Sequence, residues 1–114
     1  MADTTYQTNE FFQDIKILNN AKIGGQGGET FFKGQLLTSY GTEGDFAAWD
    51  GAFTSGINAV MRNDAVIPAG ADHIMQPVAI GEMNLTGIAA ANKVSNADLE
   101  KLKVKAFEGG ILLN

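Results

Sequence analysis

The sequence predicts a mainly β domain: a small compact barrel or sandwich-like fold with one short C-terminal helix and a flexible N-terminal arm. Three observations carry this expectation. Beyond residue 30 the apolar runs are short, at 31–32, 36–37, 46–49, 57–61, 74–80 and 83–88, and turn residues separate them. Glycine fills 14 of 114 positions, against a usual share of about 7%, which suits frequent tight turns. Only the stretch that starts at Ser95 combines a capping pattern with helical spacing. With 114 residues and 45% apolar side chains, the chain suffices for one core and not for two. The expected division is an arm at 1–10 and a single β-rich domain at 11–114.

Residues 2–9 hold Tyr6 and no aliphatic side chain larger than alanine. They bury too little surface to offset their ordering entropy and read as a free arm. In 11–18, Phe11, Ile15 and Ile17 share one parity while Asp14 and Lys16 take the other, the alternation of a half-buried strand. Asn19-Asn20 and Gly24-Gly25-Gln26-Gly27-Gly28 then read as a mobile loop. Turns are expected at 40–45, at Asp50-Gly51 and at Pro68-Ala69-Gly70. Pro77 lacks an N–H and is assigned to an edge strand or a strand start.

In Ser95-Asn96-Ala97-Asp98 a serine oxygen and an acid three residues on would meet the first free amides of a helix. Leu99, Leu102, Ala106 and Phe107 fall in one apolar stripe, Asp98, Lys101 and Lys105 point away, and Lys103 must snorkel. Gly109-Gly110 supplies a left-handed stop, and Ile111-Leu112-Leu113 a last short strand that packs the C-terminal end.

Charge and chemistry narrow the function. Eight basic and thirteen acidic residues give a net −5, which repels phosphate backbones, so no nucleic-acid partner is expected. The polar, acidic start differs from a secretory signal, and no apolar run approaches the length of a membrane span, so a soluble chain without a membrane partner is expected. The sequence has no cysteine, which removes disulfides, thiolate metal sites and thiol nucleophiles, and His73 is its one imidazole.

The glycine-rich stretch lacks the Lys-Ser/Thr of a phosphate loop, and Glu29 would repel phosphate. Asp72 and His73 are neighbours on a presumed strand and would face opposite sides, which disfavours a catalytic pair. Glu43, Asp45, Asp50, Asp64, Asp72 and Glu82 are scattered without the spacing of a calcium loop. Asn84-Leu85-Thr86 fits a glycosylation triplet that needs a secretory route. No catalytic residue, cofactor or metal is therefore expected, and the chain reads as a protein that is not an enzyme. Trp49 is expected to close a hairpin in the core, with an intersubunit contact as its functional alternative.

Several segments in fixed order carry a family likeness: Ala48-Trp49-Asp50-Gly51 after a short apolar run, residues 57–60, Gly81-Glu82-Met83-Asn84, the capped helix from Ser95, and Ala106-Phe107-Glu108-Gly109 before an apolar end. Together, over residues 31–113, they resemble the head decoration proteins of lambda-like bacteriophages. Two family features are missing. The Trp-Pro that precedes the last helix is replaced by Ala90-Ala91-Asn92, and the arm lacks the family's Pro-Ala-His-Thr stretch.

The resemblance implies a homotrimer on the outer surface of the expanded head, made in the host bacterial cytoplasm and attached at three-fold positions. It would cement the major capsid protein against the pressure of packaged DNA. It also implies an arm that orders against the capsid by strand pairing; the family's arm contacts do not carry over to this different arm, and from its own residues the added strand is expected at Thr4, Thr5, Tyr6, Gln7 and Thr8 with Tyr6 as anchor. Ala48, Trp49, Asp50, Gly51, Ala106, Phe107 and Gly109 are then structural or trimer-contact residues. A second reading is a small monomeric β-barrel module that binds a carbohydrate through Tyr6, Tyr40 or Trp49.

Overall fold

The computed structural model describes residues 11–39 and 45–114; the arm at 1–10 and residues 40–44 of the turn expected at 40–45 lie outside them. Among the described residues the chain order is β1 (Phe12–Gly24), β2 (Thr30–Phe31), β3 (Leu36–Ser39), β4 (Phe46–Ala48), β5 (Ala59–Met61), β6 (Ala65–Val66) and β7 (His73–Met83). Then follow α1 (Leu85–Ala91), a 3-10 turn (Asn96–Asp98), α2 (Leu99–Glu108) and β8 (Ile111–Leu113). The sheet order is β1-β4-β3-β5-β7-β8, and β1 also pairs with β7, so five strands close into a small barrel that β8 extends. Strands β2 and β6 form a separate ribbon. The fold is mainly β with a C-terminal helix, as the short apolar runs predict.

Strand β1 is longer than its alternation suggests. It pairs antiparallel with β7 from Phe12 opposite Met83 to Gly24 opposite His73, running through the Asn19-Asn20 expected as loop. Leu18 faces Val78 and Ala21 faces Gln76, so Asn19 and Asn20 together oppose Pro77 in a bulge. Asn20 adopts φ 59°, a left-handed conformation that asparagine tolerates. Pro77 brings no N–H that the interrupted ladder would leave unpaired. It therefore lies inside a strand bonded to β1 on one side and to β5 and β8 on the other, not at an edge.

A first irregularity between Phe12 and Asp14 resets the pleat: Phe12 is buried, Ile15 is half-buried, and Ile17 of the predicted inward face is exposed. Gly81 answers it from β7, with φ 115° and a missing Cβ that would stand 2.6 Å from the Asp14 carbonyl oxygen.

The run at 83–88, expected as strand, turns into α1 after Met83. Asn84 caps that helix, its Oδ1 accepting the Gly87 N–H at 3.1 Å. Its local role is structural. Ahead of α2, Ser95 caps no amide; its hydroxyl donates to the Asp98 carboxylate at 3.3 Å across the 3-10 turn. Leu102 and Ala106 are fully buried, whereas Phe107, placed in the apolar stripe by the sequence, is 69% exposed. Gly110 takes the left-handed stop at φ 94°, while Gly109 has φ −95° and is required for another reason. A Cβ there would collide with the Ile57 carbonyl oxygen. Strand β8 then runs parallel to β7, Ile111 opposite Gly81 and Leu113 opposite Met83.

The core has two parts. Each barrel strand sends a side chain inward (Ile23, Leu37, Phe46, Ala59 and Val78), and Phe31, Met61 and Ile67 complete this cluster. A second cluster packs the helices on the sheet through Ile88, Leu102 and Ala106 against Ile57, Val60 and Met83.

Candidate functional site

The tetrapeptide Ala48 to Gly51 is a built corner. Ala48 ends β4 opposite Leu37, and the Trp49 N–H donates to the Leu36 carbonyl at 3.0 Å. Indole Nε1 donates to the Ala52 carbonyl at 3.0 Å, and the ring packs on Phe53 with centroids 5.6 Å apart. The Asp50 carboxylate accepts the Ala52 N–H at 2.9 Å and the Ser55 hydroxyl at 3.0 Å. The first of these bonds, seconded by the other, holds the Asp50 carboxyl below its ordinary pKa. Gly51 follows at φ 86°, as the expected Asp-Gly turn demands. Trp49 is half-buried against the helix-side core, and it closes a corner and not the expected hairpin, because β4 and β5 on either side of it do not pair.

The second segment, Ala106 to Gly109, divides its work. Ala106 is buried in the helix-side core, and Gly109 allows the close approach of α2 to Ile57. Glu108 pairs with Lys105 at 3.2 Å, and the Phe107 ring stands in solvent. Val104, one turn earlier, is 57% exposed. A shallow groove of about 440 Å³ runs beside this helix, walled by Phe53 and by Glu100, Lys101, Val104, Lys105 and Glu108. The groove thus joins the end of the tryptophan corner to the end of the second segment. On the other side of Trp49 a recess of about 330 Å³ is lined by Phe32, Gln35, Asn92 and Lys93.

A signal for Phe107 is present in the sequence. At 100° per residue it lies about 80° beyond Leu99, outside the narrow arc of Leu99, Leu102 and Ala106. Phe53 and Val104 escaped notice because nothing in their local pattern marks a groove wall. Thr4, Thr5, Tyr6, Gln7 and Thr8 lie outside the described residues, as does Tyr40.

The remaining candidates are structural where they are described. Glu29 closes the glycine-rich turn itself, accepting the Gln26 N–H at 3.0 Å, and the Gly28 N–H reaches the Ile67 carbonyl at 2.7 Å. The stretch is therefore anchored, with a carboxylate where a phosphate would need to be. Asp72 and His73 do meet, Oδ1 to Nδ1 at 2.9 Å, because Asp72 precedes β7 and escapes its alternation. The hydrogen bond to His73 holds the Asp72 carboxyl below its ordinary pKa, and the pair lies open to solvent. Among the described residues no three acidic or histidine side chains gather in a metal-binding group.

No protein-family model, curated protein or solved structure matches the chain. Its functional reading rests on its own residues.

Proposed function

We propose that the chain is a capsid decoration protein that binds as a homotrimer to the outer surface of an expanded phage head and stabilises it against internal DNA pressure. The observation that carries this reading is Phe107. It belongs to one of the segments that resemble the decoration family, and it is the most exposed large apolar side chain among the described residues. An aromatic that the fold leaves in water is an anchor for contact between molecules. The capped corner at Trp49 and the tight passage at Gly109 suit the structural part of the same motif set. The partner is the major capsid protein, and no catalytic step is involved.

Attachment is assigned to the arm. Ordering eight residues costs roughly 8–16 kcal/mol of backbone entropy, so one arm adding one strand binds weakly. Three arms on one trimer raise the apparent affinity by about 10²–10⁴ without a new contact. Removal of residues 2–9 should leave a folded trimer that no longer co-sediments with expanded heads. Full binding by the shortened chain would take the arm out of the mechanism. The carbohydrate reading has less support, because Trp49 commits its N–H to Ala52 and its ring to Phe53. A monomer that retains a glycan in a binding screen would restore it.

A further inference from the structure

We infer that the outer face of α2, with Phe107 as a knob and the Phe53–Val104 groove as its hole, is where one copy of this chain docks onto the next. The inference rests on the trimeric reading above and assigns the surface that builds it. Val104 and Phe107 are 57% and 69% exposed, three residues apart on one helix, and none of the described elements covers them. The groove beside them has an apolar floor from Phe53 and Val104 and a charged rim.

The charges say which partner fits. The chain carries −5, yet α2 holds three lysines and two glutamates and, of the two described α-helices, is the one with a net positive charge. Its charges are also cancelled within the chain. Lys101 meets Asp98 at 3.7 Å, Lys103 meets Glu100 at 3.8 Å and Lys105 meets Glu108 at 3.2 Å. A strongly acidic or basic partner finds no unpaired complement along this helix. A second copy, repelled by the acidic remainder of the surface, finds here an apolar patch with neutralised edges.

Knob and groove sit side by side on the helix. Groove residues Glu100, Val104 and Glu108 lie on one side of α2, and at 100° per residue Phe107 points roughly 60° away from Val104. A knob beside its hole serves a reciprocal pair as well as a ring, so the angle alone selects neither. The trimeric reading requires the heterologous form, in which each knob fills the hole of the next copy and the third closes the ring.

Sedimentation velocity of the full chain over a wide concentration range tests the assignment. The wild type should self-associate, and Phe107→Glu should weaken association at least tenfold, equivalent to about 1.4 kcal/mol, with an unchanged circular-dichroism spectrum. Val104→Lys provides a second variant should Phe107→Glu fold poorly. Met75→Glu, an exposed apolar position on β7, should associate like wild type. A wild type that stays monomeric throughout, or folded α2 variants that associate as the wild type does, would overturn the inference. Head binding is measured separately. Association lost with Phe107→Glu supports the docking face even if the wild type ignores heads, whereas heads decorated equally by wild type and by a still-associated Phe107→Glu reject the face and keep the decoration reading.

Discussion

Asn92 uses its whole amide. Oδ1 accepts the Leu36 N–H at 2.9 Å, and Nδ2 donates to the carbonyls of Gly34 and Ile88, each at 2.9 Å. One side chain thereby ties the end of α1 to the start of β3, and truncation takes the acceptor from the Leu36 N–H. Asn92→Ala should lower stability by about 1–3 kcal/mol, read by urea titration; a midpoint like that of wild type would show that water replaces the bonds.

Asp50 gives a pH-dependent counterpart. Its folded pKa lies below the ordinary 3.8 because the Ala52 N–H and then the Ser55 hydroxyl bind the charged form. The folded state thus holds this proton less readily than the unfolded state. The contribution to stability is complete above the unfolded value and is lost as pH falls through the folded one. The melting-temperature gap between wild type and Asp50→Ala should be widest near neutral pH and close below pH 3.8. A gap that is constant with pH would assign the effect to the turn backbone and not to the carboxylate. Of these two residues only Asp50, beside its glycine, is legible in the sequence. Asn92 is not, because its partners lie 56 and 58 positions away.

Helix α2 shows why element type is easier to read than element orientation. Its apolar spacing and its terminal glycines announce a helix before a last strand, and both are present. The spacing also placed Phe107 inward, since a stripe read by hydrophobicity alone cannot separate a core aromatic from one kept for a partner. Substitution separates them. Leu102→Ala, at a fully buried position, should cost about 2–5 kcal/mol. Phe107→Ala in dilute, monomeric protein should stay within about 0.5 kcal/mol of wild type. Comparable losses at both positions, by thermal or chemical unfolding, would mean that Phe107 packs within its own chain. The second half of β1 and helix α1 were hidden for related reasons. Asn19-Asn20 signals a turn locally but forms a bulge opposite Pro77, and the 83–88 run is too short for its period to distinguish strand from helix.

At the scale of the molecule, the described residues form a closed five-strand barrel with helices packed against it, and they leave apolar side chains such as Val104 and Phe107 facing outward. Three chains at −5 each place −15 on a trimer. Association through a locally neutral face must still overcome that repulsion, so trimer content should rise between about 0.01 and 0.15 M salt as the screening length falls from about 30 to 8 Å. Light scattering that is flat across this range would remove long-range charge from the account.

The claim that the protein cements a capsid is tested most directly by co-sedimentation of the full chain with expanded, DNA-free heads of the phage that encodes it. The account predicts saturable binding at three chains per three-fold position, together with heads that withstand higher temperature. Absence of binding to expanded heads at concentrations where the chain is fully associated would contradict it.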